Sequence, residues 1–113
     1  SLECPPCRDE LALFGKLKQA DRPFNLVLVS TDDVSRYQSL TAILAQYQLQ
    51  DSDTWAFAQG SPERLRHSID PGWFGEMPRC YFYDSKHNRI GISGKLDQKT
   101  LLEWFDQQSR IRE

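Results

Sequence analysis

The chain lacks the features that would send it to a membrane or to a nucleic acid. No apolar run approaches the ~18 residues that a membrane span requires. The 14 Lys and Arg residues are set against 16 Asp and Glu, a formal net charge of −2, so there is no basic footprint for nucleic acid or an anionic surface. No internal repeat, low-complexity tract or linker interrupts it. With 113 residues this implies one domain, residues 1–113, around a single core. Cysteine is scarce: there are 3, where a disulfide-stapled secreted scaffold would use more. That arithmetic leaves the compartment open. No leader is visible, but Ser1 does not look like a natural beginning, so this absence says little. Aromatics, by contrast, are plentiful, with 3 Trp, 4 Tyr and 6 Phe.

What is present stands at the start. Cys4-Pro5-Pro6-Cys7 runs straight into Arg8-Asp9-Glu10-Leu11. Two cysteines two residues apart, opening a helix, can close and reopen a small disulfide. Proline fixes φ and is favoured in the first helical turn, where its missing N–H costs little. The helix N-terminus offers unpaired N–H groups and the positive end of the dipole, which favour a thiolate at Cys4. Two other readings stand beside redox chemistry. Half a zinc site would need further ligands from Cys80, His67 and His87, which sit singly and follow no ligand spacing. A static structural disulfide is the other.

The rest of the chain reads as alternating helices and strands. A first helix is expected over residues 5–18, with Leu11, Phe14 and Leu17 inward, broken by Asp21-Arg22-Pro23. Leu26-Val27-Leu28-Val29 is a continuous apolar run that suits a strand buried on both faces. Ser30-Thr31-Asp32-Asp33 offers N-cap residues for a helix marked by Val34, Tyr37, Leu40, Ile43, Leu44 and Tyr47. A second strand covers residues 54–58, and Ser61-Pro62 starts a short helix reaching Ile69. An irregular loop leads to Pro78. Cys80-Tyr81-Phe82-Tyr83 turns back at Lys86-His87-Asn88 into Ile90-Gly91-Ile92. Asp97 caps a last helix with Leu101, Leu102, Trp104 and Phe105 inward. This order implies an α/β layer fold with a parallel portion and an antiparallel edge.

Three stretches carry a resemblance: Cys4-Pro5-Pro6-Cys7-Arg8-Asp9-Glu10, then Trp73-Phe74-Gly75-Glu76-Met77-Pro78 with Phe82-Tyr83-Asp84, then Gly94-Lys95-Leu96-Asp97. Together they resemble the TlpA/ResA-like (DsbE-like) thiol–disulfide oxidoreductases of the thioredoxin fold. The resemblance implies a mixed sheet flanked by helices. It departs in three places. Glu3 stands where the family usually has Trp, and an acidic neighbour disfavours a thiolate. Met77 precedes the proline, where the family often has Thr or a small or branched residue. The strand the family carries before its cysteines has no room in Ser1-Leu2-Glu3, so the chain is expected to be truncated at its N-terminus.

By this resemblance Cys4 attacks a substrate disulfide and Cys7 resolves it. Pro78 follows a cis bond from Met77 and shapes a substrate groove with Met77, Pro5 and Pro6, and Trp73 and Phe74 are either its apolar rim or core residues. Glu10 is either a proton shuttle for Cys7 or a solvated helix residue. Cys80, on one strand face with Phe82, is expected to be a buried, inert core thiol. His67, His87 and the Arg64–Arg66 stretch are read as surface. No metal or organic cofactor is expected beyond the Cys4–Cys7 disulfide. The partners implied are protein thiols or disulfides and an upstream reductase, with no nucleic acid and no membrane span, the chain acting as a monomer. The family setting is the bacterial periplasm or cell envelope, in roles such as cytochrome c maturation, with the cytoplasm left open. A non-catalytic module that binds partners and keeps its disulfide as a clip is the alternative. A peroxide-reducing relative is disfavoured by the C-P-P-C pair.

Overall fold

The computed structural model describes residues 1–20 and 24–112, with side chains to residue 108. The break expected at Asp21-Arg22-Pro23 lies outside the described residues. Helix α1 is Pro5–Gln19, with Pro5 and Pro6 in its first two positions and Cys4 as N-cap. Lys16 and Lys18 occupy its last turn, where cations meet the negative end of the helix dipole. Strand β1, Val27–Asp33, leads through a short helical turn, Val34–Arg36, into α2, Tyr37–Gln46, and then β2, Asp53–Phe57. β1 and β2 pair in parallel, Val27 opposite Asp53 and Val29 opposite Trp55. A parallel pair needs such a crossover. Helix α3, Pro62–Ile69, opens at Ser61, whose hydroxyl accepts the Arg64 N–H. β3, Arg79–Tyr83, and β4, Arg89–Ser93, form an antiparallel hairpin with Cys80 opposite Ile92. Helix α4, Gln98–Arg112, follows the Asp97 cap, whose carboxylate accepts the Thr100 N–H at 2.7 Å.

The class is mixed α/β, with four helices, but the strands do not join into one sheet. β1–β2 and β3–β4 share no ladder among the described residues. Ser1-Leu2-Glu3 form a turn rather than a strand before α1. Between the sheets lies a cavity of about 800 Å³. Consecutive residues of both edge strands line it, residues 24–32 on one side and 77–85 on the other. Alternate residues on a strand point to opposite faces, so an unbroken run of lining residues means that the strand edge itself faces the cavity.

One cluster joins the halves: Phe14 and Leu17 of α1, Leu40 and Leu44 of α2, and Leu101 of α4, with Leu2, Leu49 and Leu96. Leu26 just before β1, Leu28 within it, and Cys80, Phe82 and Ile92 of the hairpin pack against it. Three expectations are corrected here. Val27 and Val29 are 57% and 48% exposed, so β1 is not buried on both faces, and α3 buries none of its residues. The strand also runs on through Ser30, Thr31 and Asp32. Only Asp33 caps, accepting the Ser35 N–H at 2.8 Å, while Asp32 accepts the Leu2 N–H at 2.7 Å. Val34 and Tyr37 are exposed, since the tight turn at Val34–Arg36 takes them out of register with Leu40 and Leu44.

Gly15 marks the closest approach of α1 to the end of α2. A Cβ there would collide with the Tyr47 carbonyl oxygen. Gly15→Ala gains at most about 1 kcal/mol of helix propensity and incurs an overpacking cost of about 1–3 kcal/mol. The expected result is a net loss of stability in a urea titration, against the usual gain for Gly→Ala in a helix.

Candidate functional site

Cys4 and Cys7 are joined by a disulfide at the start of α1. Both are half-buried, and Pro5 and Pro6 between them are exposed. Because the two prolines carry no N–H, the first free donor of the helix is Cys7. Its N–H is shared between the Cys4 carbonyl at 3.0 Å and the Cys4 Sγ at 3.3 Å. The first turn has no acidic residue to compete for the positive end of the dipole. The Cys4 sulfur is therefore the capping acceptor of this helix, a position that stabilises charge on it when the disulfide opens.

The expected penalty from Glu3 is offset. Its carboxylate accepts from Arg36 Nη1 at 2.9 Å, an exposed pair that sets a counter-charge beside it. Arg36 also approaches Asp32, at 3.7 Å. Neither arginine nor aspartate was legible as part of this site, because they reach it from 30 or so residues away along the chain.

Glu10 is no solvated helix residue: it is 4% exposed. It lies one turn beyond Cys7, and side chains three apart on a helix are neighbours. Burying a carboxylate costs several kcal/mol unless donors replace water. Two do so. The Cys80 S–H donates to Oε1 at 2.9 Å and the Leu96 N–H to Oε2 at 3.0 Å. Both carboxyl oxygens of Glu10 are thus engaged by donors from outside α1. The Cys80 thiol is pushed far above its usual range, first by burial and then by its bond to Glu10. It is half-buried rather than fully buried, and it is held protonated, as an inert thiol would be.

The loop before β3 is pinned from two sides. Trp73 is buried and donates its indole N–H to the Glu76 carbonyl at 2.9 Å. Glu76 accepts the Phe74 N–H at 2.7 Å and the Ser93 hydroxyl at 2.8 Å. Asp70 accepts from Arg79 at 3.1 Å and from the Tyr81 hydroxyl at 2.9 Å. The Gly72 N–H first, and then Tyr81, hold the Asp70 carboxyl below the usual carboxylate range. Arg79 and Arg89 both lie over the Tyr81 ring, at 5.0 and 4.9 Å. The Met77–Pro78 bond is cis, and the Pro78 carbonyl accepts the Gly94 N–H at 2.9 Å.

Cys7, Glu10, Trp73, Met77, Pro78 and Cys80 thus line one cavity. Cys4, Pro5, Pro6 and Phe74 are not among its lining residues. Phe74, 84% exposed, projects into solvent, so Trp73 and Phe74 do not share one rim. His67 and His87 are exposed, and no three His, Cys, Asp or Glu side chains converge on a metal position among the described residues. Among the described residues no helix is long and apolar enough to cross a membrane. No family model, curated protein or solved structure matches the chain.

The raised Cys80 thiol has a direct consequence. Alkylation needs the thiolate, so iodoacetamide at pH 8 leaves Cys80 unlabelled in the folded, reduced protein and labels it once urea is added. Rapid labelling of folded Cys80 would contradict the contact with Glu10.

Proposed function

We propose that this chain exchanges thiols and disulfides with protein substrates, working as a reductant through a Cys4–Cys7 dithiol. The observation that carries the reading is the Cys4 sulfur as the N-cap acceptor of α1, joined to Cys7 one turn on. In the reduced state the Cys7 N–H and the helix dipole favour a thiolate at Cys4. That thiolate attacks one sulfur of a substrate disulfide and expels the other as a thiolate, leaving a Cys4–substrate mixed disulfide. Cys7 gives up its proton, and the buried carboxylate of Glu10 one turn away is the acceptor within reach. The Cys7 thiolate attacks the Cys4 sulfur, closes the Cys4–Cys7 bond and releases the substrate as a dithiol. Two electrons pass from the protein to the substrate, and an upstream reductase restores the pair.

The resemblance to the TlpA/ResA-like group supports this reading through its motif and through the order of its later segments. On it, the chain has a thioredoxin-like fold, and Pro78 and Met77 border the substrate beside Cys7. Trp73 backs this part of the cavity, while Pro5 and Pro6 lie exposed between the two cysteines. The bacterial cell-envelope setting and the cytochrome-maturation role belong to the same proposal.

Reduction of insulin disulfides by dithiothreitol tests it. The parent accelerates precipitation of the insulin B chain, and Cys4→Ser returns the rate to background. Cys7→Ser instead accumulates a mixed disulfide on Cys4 that mass spectrometry detects. If Cys4→Ser matches the parent, the pair is a structural clip and the chain a non-catalytic binding module.

A further inference from the structure

Cys80 is a nucleophile-bearing residue that the exchange reaction above does not use, and its surroundings give it a different task. Its S–H points at Glu10 Oε1 at 2.9 Å, while the Leu96 N–H holds Oε2 at 3.0 Å. The two donors come from β3 and from the segment before α4, so they grip the carboxylate from two elements. Each carboxylate oxygen has two acceptor positions. With one on each oxygen taken, the rest stay free on a side chain that neighbours Cys7 on α1 and lines the same cavity.

We propose that Cys80 is a positioning residue: its S–H fixes the Glu10 carboxylate in the orientation that receives the Cys7 proton during resolution. This rests on the exchange reading. The proton balance is that of the resolving step. Cys7 S–H gives its proton to Glu10, the new thiolate forms the bond to Cys4, and the substrate sulfur leaves as a thiolate that is reprotonated. Cys80 forms and breaks no covalent bond. Burial keeps it a thiol, so the donor is present throughout the neutral range. Other charges face this region. Asp9, on the same helix, is paired with Lys95 at 3.5 Å. Arg8, Asp32, Arg79, Asp84 and His87 line the cavity. Asp32 bonds the Leu2 N–H, Arg79 bonds Asp70, and Asp84 bonds Asn88. None of these three holds Glu10.

The test separates the two chemical steps. Reduced protein is mixed with oxidised glutathione, quenched in acid at intervals and weighed by mass spectrometry. The glutathione adduct on Cys4 reports attack, and its disappearance reports resolution by Cys7. Cys80→Ala is expected to leave attack within about twofold of the parent and to slow resolution by about tenfold, the scale of one lost hydrogen bond to a charged group. Cys80→Ser keeps a donor and restores resolution. In a Glu10→Gln background, Cys80→Ala adds no further slowing, because the two act as one unit. Unchanged resolution in Cys80→Ala, equal slowing of both steps, or Cys80→Ser as slow as Cys80→Ala would each overturn the proposal. If no glutathione adduct forms on Cys4 in the parent, the exchange reading fails first, and the assignment of Cys80 falls with it.

Discussion

Among the described residues the two small sheets share no hydrogen-bonded ladder, so something else has to hold β1–β2 and β3–β4 in one body. That element is α1. Its Phe14 and Leu17 enter a cluster to which both sheets contribute, and its Glu10 bonds to β3 and to the segment before α4. The apolar contacts are non-directional and tolerate sliding. The Glu10 bonds are directional and short, and breaking one would leave a buried charge under-satisfied. The carboxylate therefore fixes the register between helix and hairpin that the missing ladder would otherwise set.

The same helix presents the sulfur pair. Pro5 and Pro6 remove two N–H groups from the first turn, and the next one, on Cys7, is directed to the Cys4 sulfur. The dipole of α1 and this single donor act on one atom. Glu3, the residue most apt to oppose them, is engaged by Arg36. The end of the helix that carries the cysteines and the turn that carries Glu10 are thus set by one rigid element. The proton transfer proposed from Cys7 to Glu10 depends on that placement.

Local signals were legible in the sequence. The C-P-P-C pair, the Ser61-Pro62 start, the Asp97 cap and the 86–88 turn depend on residues next to one another, and each is found where the chain implies it. Alternation on β3 also placed Cys80 and Phe82 on the inward side. What escaped depends on distance along the chain. Cys80 meets Glu10 across 70 residues, and Arg36 meets Glu3 across 33, with no periodicity to announce either. The exposed face of Val27 and Val29 escaped for a related reason. A continuous apolar run implies cover on both sides, but whether anything packs on the second side depends on elements far along the chain, and α3 buries none of its residues.

The proposed exchange stands or falls on Cys4–Cys7 being a working redox couple. A titration of the purified protein in glutathione buffers, with thiols trapped by alkylation and counted by mass, tests this most directly. A working couple gives a single two-electron transition confined to Cys4 and Cys7, with Cys80 unmodified throughout. A pair that stays oxidised across the whole buffer range would contradict it and leave the disulfide as a structural clip.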